Sequence, residues 1–157
     1  MTEPDYTLLK SQLVALIANE SDALANAGNF VALIYNAMHD VNWLGIYVLR
    51  GNELVLGPFQ GQPACVRIPV GQGVCGTAAA SLSTQRVADV HSVSGHIICD
   101  AASRSELVVP LLIAGRLVGV LDIDSPSLDR FSADDQAGIE LLCAAYCELH
   151  ADHAEFI

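Results

Sequence analysis

The stretch ELVVPLLI-AG-RLVGVLDID, residues 106–124, reads as two apolar strands joined across Ala114-Gly115. Two residues leave no room for a crossover helix, so the pair must be antiparallel. The same logic applies upstream. Residues 43–50, WLGIYVLR, alternate like a strand, Gly51-Asn52 is a hairpin turn, and residues 53–59 return. Residues 65–70, CVRIPV, predict a third strand of that group, and residues 86–90 a short further one. Outside the strands, Leu9, Leu13, Leu16 and Ile17 recur at helical spacing within 6–27. Gly28-Asn29 then predicts a helix stop and a cap for a second helix carrying Phe30, Leu33, Ile34, Ala37 and Met38 on one face. A short helix is expected at 77–82. A last one runs from Ser132 to about residue 150, with Asp135 completing a variant capping box. Helices at both ends and about six hairpin-linked strands between them predict an α+β sandwich around a central antiparallel sheet. Residues 1–157 are expected to form one domain.

Composition narrows the function. Hydrophobic residues make up 52% of 157, enough for a sizeable core, and no apolar run reaches the ~20 residues that span a bilayer. Seven Lys and Arg against 18 Asp and Glu give a net charge of −11. Such a surface repels phosphate backbones and anionic lipid, which argues against nucleic-acid and membrane partners and favours guests that carry a cation. The acidic N-terminus lacks the basic start of a signal peptide, so a cytoplasmic protein is expected. The five cysteines at 65, 75, 99, 143 and 147 are odd in number and contain no Cys-x-x-Cys, which argues against a structural disulfide framework or a zinc knuckle.

Gly71-Gln72-Gly73-Val74-Cys75-Gly76 matches G-x-G-x-x-G, with Asp89 at a plausible distance for a ribose acid. The fingerprint needs a strand–turn–helix of a βαβ unit, and hairpins dominate here. A tight turn exposing backbone N–H groups beside a pocket is the better reading. Cys143 and Cys147, four apart beside Leu142 and Tyr146, read as core filler. Cys99 differs, because it sits in a long polar loop, 91–105, with no apolar periodicity to explain it. His91, His96, Cys99 and Asp100 have metal-ligand chemistry, but loop histidines in polar sequence are usually solvated, and no metal ligand set is assigned. Period two puts Asp122 and Asp124 on one face of their strand. Glu106 enters the partner strand opposite them, so three acids converge. Adjacent carboxylates repel, which raises one pKa or calls for a cation between them.

Seven stretches together resemble the free methionine-(R)-sulfoxide reductase family: WLGIY at 43–47, GPFQG at 57–61, CVRIP at 65–69, GVCG at 73–76, DVH at 89–91, CDAAS at 99–103 and LDIDS at 121–125. The resemblance implies a GAF fold, a homodimer, and reduction of free L-methionine (R)-sulfoxide without a bound cofactor, with thioredoxin and its NADPH-dependent reductase restoring the enzyme. It implies Cys99 as nucleophile, Cys65 as resolving cysteine and Cys75 as a third that relays the disulfide. It further implies Glu106, Asp122 and Asp124 as substrate-holding acids, and Trp43 and Tyr47 as aromatics around the methyl end.

The residue types suit that chemistry. A thiolate attacks the sulfoxide sulfur, an acid protonates the departing oxygen, and a second thiol closes a disulfide. Nearby acids should hold the Cys99 thiol protonated until a cationic guest arrives. The rivals are a non-catalytic GAF module that binds a small ligand, and a redox sensor without a substrate.

Overall fold

The computed structural model describes residues 3–95, 99, 101–153 and 156–157. Helix α1 spans Tyr6–Ile17, and Asp5 starts it by accepting a hydrogen bond from the Leu8 backbone N–H at 3.0 Å. Helix α2 spans Ala23–Ala37 and is capped in the same way by Asp22, which accepts from the Ala25 N–H at 2.8 Å. The break between the two helices therefore falls before Asp22, and not at Gly28-Asn29 as the sequence suggests. Both of those residues lie inside α2. Burial of Ala27, Phe30, Val31 and Ile34 along one face of α2 outweighs the low helix propensity of a single glycine.

Six strands follow: β1 Trp43–Arg50, β2 Glu53–Gln60, β3 Arg67–Pro69, β4 Gln85–Val87, β5 Ser105–Ile113 and β6 Arg116–Ser125. Their order is β3-β2-β1-β6-β5-β4 and every pairing is antiparallel, as the two hairpins require. Helix α3, Gly73–Ser81, lies between β3 and β4, and α4, Ala133–Leu149, closes the fold. The predicted third strand at 65–70 shrinks to three residues. The predicted helix at 77–82 begins four residues earlier, inside the glycine-rich segment. With every pairing among the described strands antiparallel, that segment sits in no βαβ unit, which disposes of the dinucleotide reading. Among the described residues no helix is long and apolar enough to cross a membrane.

Strand alternation sorts the molecule into two sides. Leu44 and Ile46 on β1, Leu107 and Val109 on β5, and Leu121 and Ile123 on β6 face a core roofed by α2 and α4, with α1 packed across both helices. Gly138 permits that third layer, because a Cβ there would fall within 2.1 Å of the Tyr6 ring. Cys143 and Cys147 lie in this core as the filler the sequence predicts. The opposite side carries Trp43, Tyr47, Val108 and Val120, and α3 covers it only in part. What remains uncovered is the candidate site.

Candidate active site

Three strands place the site's side chains in rows. Trp43 of β1, Asp124 of β6 and Glu106 of β5 are cross-strand neighbours, and in the next row Gly45 pairs with Asp122, which pairs with Val108. Alternation puts all of these on the side away from α2 and α4. Gly45 has a geometric reason to be there. The Trp43 indole folds back over it, and a Cβ would lie 2.5 Å from both that ring and Phe59. The indole stacks on Phe59 and on Tyr47, with centroids at 5.4 and 5.8 Å, and its N–H donates to the Gln62 carbonyl at 3.0 Å. Tyr47 in turn donates its hydroxyl to the Cys65 carbonyl at 3.0 Å. The aromatic floor thus fixes the backbone of the 61–66 segment.

Ala64 of that segment, with Cys99 and Ser103, forms the rim. Cys65 and Cys99 are joined there as a disulfide, with Cα atoms 5.4 Å apart. The loop that brings Cys99 in is tied down at its far end, where the Arg104 N–H donates to the Ser125 carbonyl at 2.7 Å and the Arg104 carbonyl accepts from Val90 at 2.9 Å. The cavity is small, with about 30 Å³ of free space, and it opens to solvent at its mouth. Cys99, Glu106, Asp122, Asp124, Trp43 and Tyr47 all line it. Cys75 also lines it, from the first turn of α3, while Cys65 reaches it through its bond to Cys99.

The acids are held in an unusual state. Glu106 and Asp122 are about 95% buried, and burial is the first cause pushing both pKa values upward. The Asp124 charge adds to the rise at Glu106, which reaches about 8, while hydrogen bonds from Asp122 and Cys75 oppose it. Asp122 is pushed well above the usual carboxylate range by burial, then by the charge of Glu106. One oxygen of Asp122 is buried with no hydrogen-bond partner. The Cys75 thiol points at Glu106, Sγ to Oε1 3.8 Å, and burial followed by the Asp122 and Glu106 charges holds it protonated. Burial and Asp122 likewise raise the Tyr47 phenol. No Lys, Arg or His lines the cavity among the described residues.

The other wall is the N-terminus of α3. Gln72 caps it without a side-chain hydrogen bond, and Gln72, Gly73 and Val74 all face the cavity. The start of α3, whose first backbone N–H groups have no partner within the helix, therefore borders the cavity that the acids also line. The sequence did not single out Gln72 or Ser103. Ser103 is buried in the cavity wall, where its hydroxyl accepts a hydrogen bond from Asn42 at 3.2 Å. The only signal for either was adjacency to a chemistry-bearing motif. The polar-loop metal cluster does not assemble around His91. That ring is exposed and pairs with Asp89 at 3.3 Å, outside the cavity lining, whereas His96 and Asp100 lie outside the described residues.

Known proteins fit this geometry. The GAF domain family model matches residues 11–146. The free methionine-R-sulfoxide reductase of Escherichia coli K12 is 52% identical over 139 residues, covering 88% of this chain and 84% of that protein. The structure of fRMsr of Staphylococcus aureus in complex with substrate superposes with a TM-score of 0.90 at 47% identity, covering 95% of this chain and 97% of that one. The free methionine-R-sulfoxide reductase from Neisseria meningitidis, in complex with its substrate, gives 0.88 at 41% identity, covering 92% and 87%. By sequence and by superposition alike, the chain belongs to the GAF-domain family and, within it, to the free methionine-R-sulfoxide reductases.

Proposed function

We propose that this protein reduces free L-methionine (R)-sulfoxide to L-methionine, using Cys99 as nucleophile. One observation carries the reading: a cysteine in a disulfide with a neighbouring cysteine shares a small cavity with three convergent acids and, among the described residues, no basic side chain. The acids suit an ammonium group, Trp43 and Tyr47 suit the S-methyl end, and the open N–H groups of α3 suit the carboxylate. A peptide-bound methionine has neither free terminus to offer, which is why the free amino acid is the better guest.

In the first step the Cys99 thiolate attacks the sulfoxide sulfur. The S–O bond breaks as Glu106 or Asp122, kept neutral by burial, protonates the oxygen. The departed hydroxide then attacks Cys99 Sγ and breaks the sulfur–sulfur bond formed by the attack, so Cys99 is left as sulfenic acid, methionine leaves, and two electrons have passed from cysteine to sulfoxide. Cys65 then displaces the sulfenic hydroxyl as water, forming the 65–99 disulfide, and a thioredoxin dithiol reopens it by exchange. Cys65 fits as resolving cysteine because it can reach Cys99, and Tyr47 holds its backbone. Cys75 is buried, protonated and bonded to Glu106, which favours holding that acid over relaying the disulfide. The substrate ammonium brings the charge that lets Cys99 ionise beside acids. A reducing cytoplasm suits the cycle, and a homodimer acting without a bound cofactor completes the proposal.

The test couples NADPH oxidation through thioredoxin reductase and thioredoxin to each sulfoxide in turn. Consumption with the free (R) epimer, and little with the (S) epimer or a sulfoxide inside a peptide, is expected. Equal rates with the peptide would overturn the preference for the free amino acid, and none with any sulfoxide would leave only a binding or redox-sensing module.

A further inference from the structure

We propose that Cys75, Glu106 and Asp122 form a binding site for one exchangeable divalent cation of the zinc class. The three donors come from three different elements, α3, β5 and β6, and their ligand atoms all lie within 4.8 Å of one another. They are the one group of three such side chains that converge in this way among the described residues. Sulfur and oxygen arms of ~2.3 and ~2.1 Å at a tetrahedral metal hold their donors ~3.6 Å apart. The Cys75 Sγ–Glu106 Oε1 separation of 3.8 Å nearly matches this edge. Closing the remaining edges needs side-chain adjustment of about an ångström.

A second observation is independent of that clustering. Asp122 is 94% buried and one of its oxygens has no hydrogen-bond partner, although a buried acceptor in a settled structure almost always has one. The cavity supplies no Lys, Arg or His among its described lining residues to neutralise it. A cation bound to that oxygen satisfies the acceptor and balances the crowded acids together. The donor set then chooses the ion. One thiolate with two carboxylates suits borderline-soft zinc or its cobalt and cadmium analogues, whereas magnesium and calcium prefer oxygen alone. Binding is ligand exchange without redox change: the Cys75 S–H bond and the O–H bonds of the acids that hold protons break, sulfur–metal and oxygen–metal bonds form, and those protons leave to solvent. Neither Cys65 nor Cys99 takes part, so the site exists with the 65–99 disulfide closed.

That independence sets the experiment. The protein is taken with its disulfide formed, without added thiol, in a Cys143→Ala/Cys147→Ala background that removes the other free cysteines. It is titrated with Co²⁺ alone and followed by absorption, and with Zn²⁺ by calorimetry. One ion per chain, with a thiolate-to-cobalt charge-transfer band that Zn²⁺ erases, is expected. Cys75→Ser should remove the band, and Asp122→Asn should weaken Zn²⁺ at least tenfold with an unchanged circular dichroism spectrum. If Cys75→Ser does not fold, Glu106→Gln carries the same tenfold test against surface Asp134→Asn, which should change nothing. A folded protein with no charge-transfer band, or affinity indifferent to Asp122 and Glu106, overturns the site. No sulfoxide enters the measurement, so its failure leaves the reductase reading untouched.

Discussion

Two buried aspartates, one on each side of the sheet's central strands, have opposite fates. Asp135, 1% exposed in the first turn of α4, accepts hydrogen bonds from the Tyr6 hydroxyl at 2.6 Å, Arg130 at 2.9 Å and the Ser132 N–H at 2.9 Å. Burial pushes its pKa up, but those bonds and the Arg130 charge more than offset this, and the net shift is downward. Asp122 is almost as buried, yet its neighbours are a thiol and another acid, and its pKa rises. Burial raises both values, so the partners decide the outcome. An acid given a cation holds the fold together. An acid with no cation among its described neighbours is left to serve a guest.

The largest effect that separates the two sides is on turnover. Cys99→Ser should lower the rate of methionine formation by at least about 10³-fold, or ~4 kcal/mol of barrier. Cys143→Ala should leave it within about twofold, because that thiol sits in the core behind the sheet. Sulfoxide-dependent NADPH oxidation measures both, and comparable losses would erase the functional distinction between the sides.

Next in size is stability. Asp135→Asn strands the buried Arg130 guanidinium and weakens the capping box, so urea unfolding should report a loss of about 3 kcal/mol. Asp122→Asn removes a group whose charge the interior disfavours, so the midpoint should hold or rise while activity falls about a hundredfold. A protein that unfolds as readily without Asp122 as without Asp135 would make the cavity acid a structural one after all.

The pH windows should be mirror images. Glu106 has a folded pKa raised to about 8, so the folded state binds a proton that the unfolded chain releases near ~4.3. Its contribution is present at low pH and is lost as pH climbs to about 8, costing about 3 kcal/mol between pH 6 and 9. Asp135, with its lowered pKa, contributes above ~3.9, and that contribution disappears as pH falls through its folded value. Urea midpoints across pH should show the alkaline loss vanish in Glu106→Gln and the acid loss vanish in Asp135→Asn.

Sequence alone reached the hairpins because a two-residue turn between apolar strands admits one geometry, and it placed Asp122 and Asp124 together because strand alternation is rigid. Cys99 stood out because a polar loop offers a cysteine nothing to pack against. Other features were beyond reach for physical reasons. The bond from Tyr47 to the Cys65 carbonyl joins residues 18 apart through a fold that no local pattern encodes. The start of α3 inside the glycine-rich segment is set by packing, since Gly76 sits against the Pro69 carbonyl, where a Cβ would approach to 2.5 Å. Gly28 misled because propensity is a weak local preference that the apolar face of α2 overrides.

That misreading supplies the smallest prediction and a last contrast between the two sides. Gly28 lies within α2, where an added Cβ meets nothing within 4 Å. Gly28→Ala should therefore stabilise by about 0.5–1 kcal/mol through reduced backbone freedom in the unfolded chain, with turnover unchanged. The same substitution at Gly45 puts its methyl 2.5 Å from the Trp43 ring and from Phe59. Gly45→Ala must push the indole off its seat, lowering the thermal midpoint and loosening the wall assigned to the substrate's methyl end. Paired melting curves and KM values measure the two variants together. If Gly45→Ala proved as harmless as Gly28→Ala, the Trp43 indole would be free to shift, and the cavity could not owe its shape to a fixed aromatic floor.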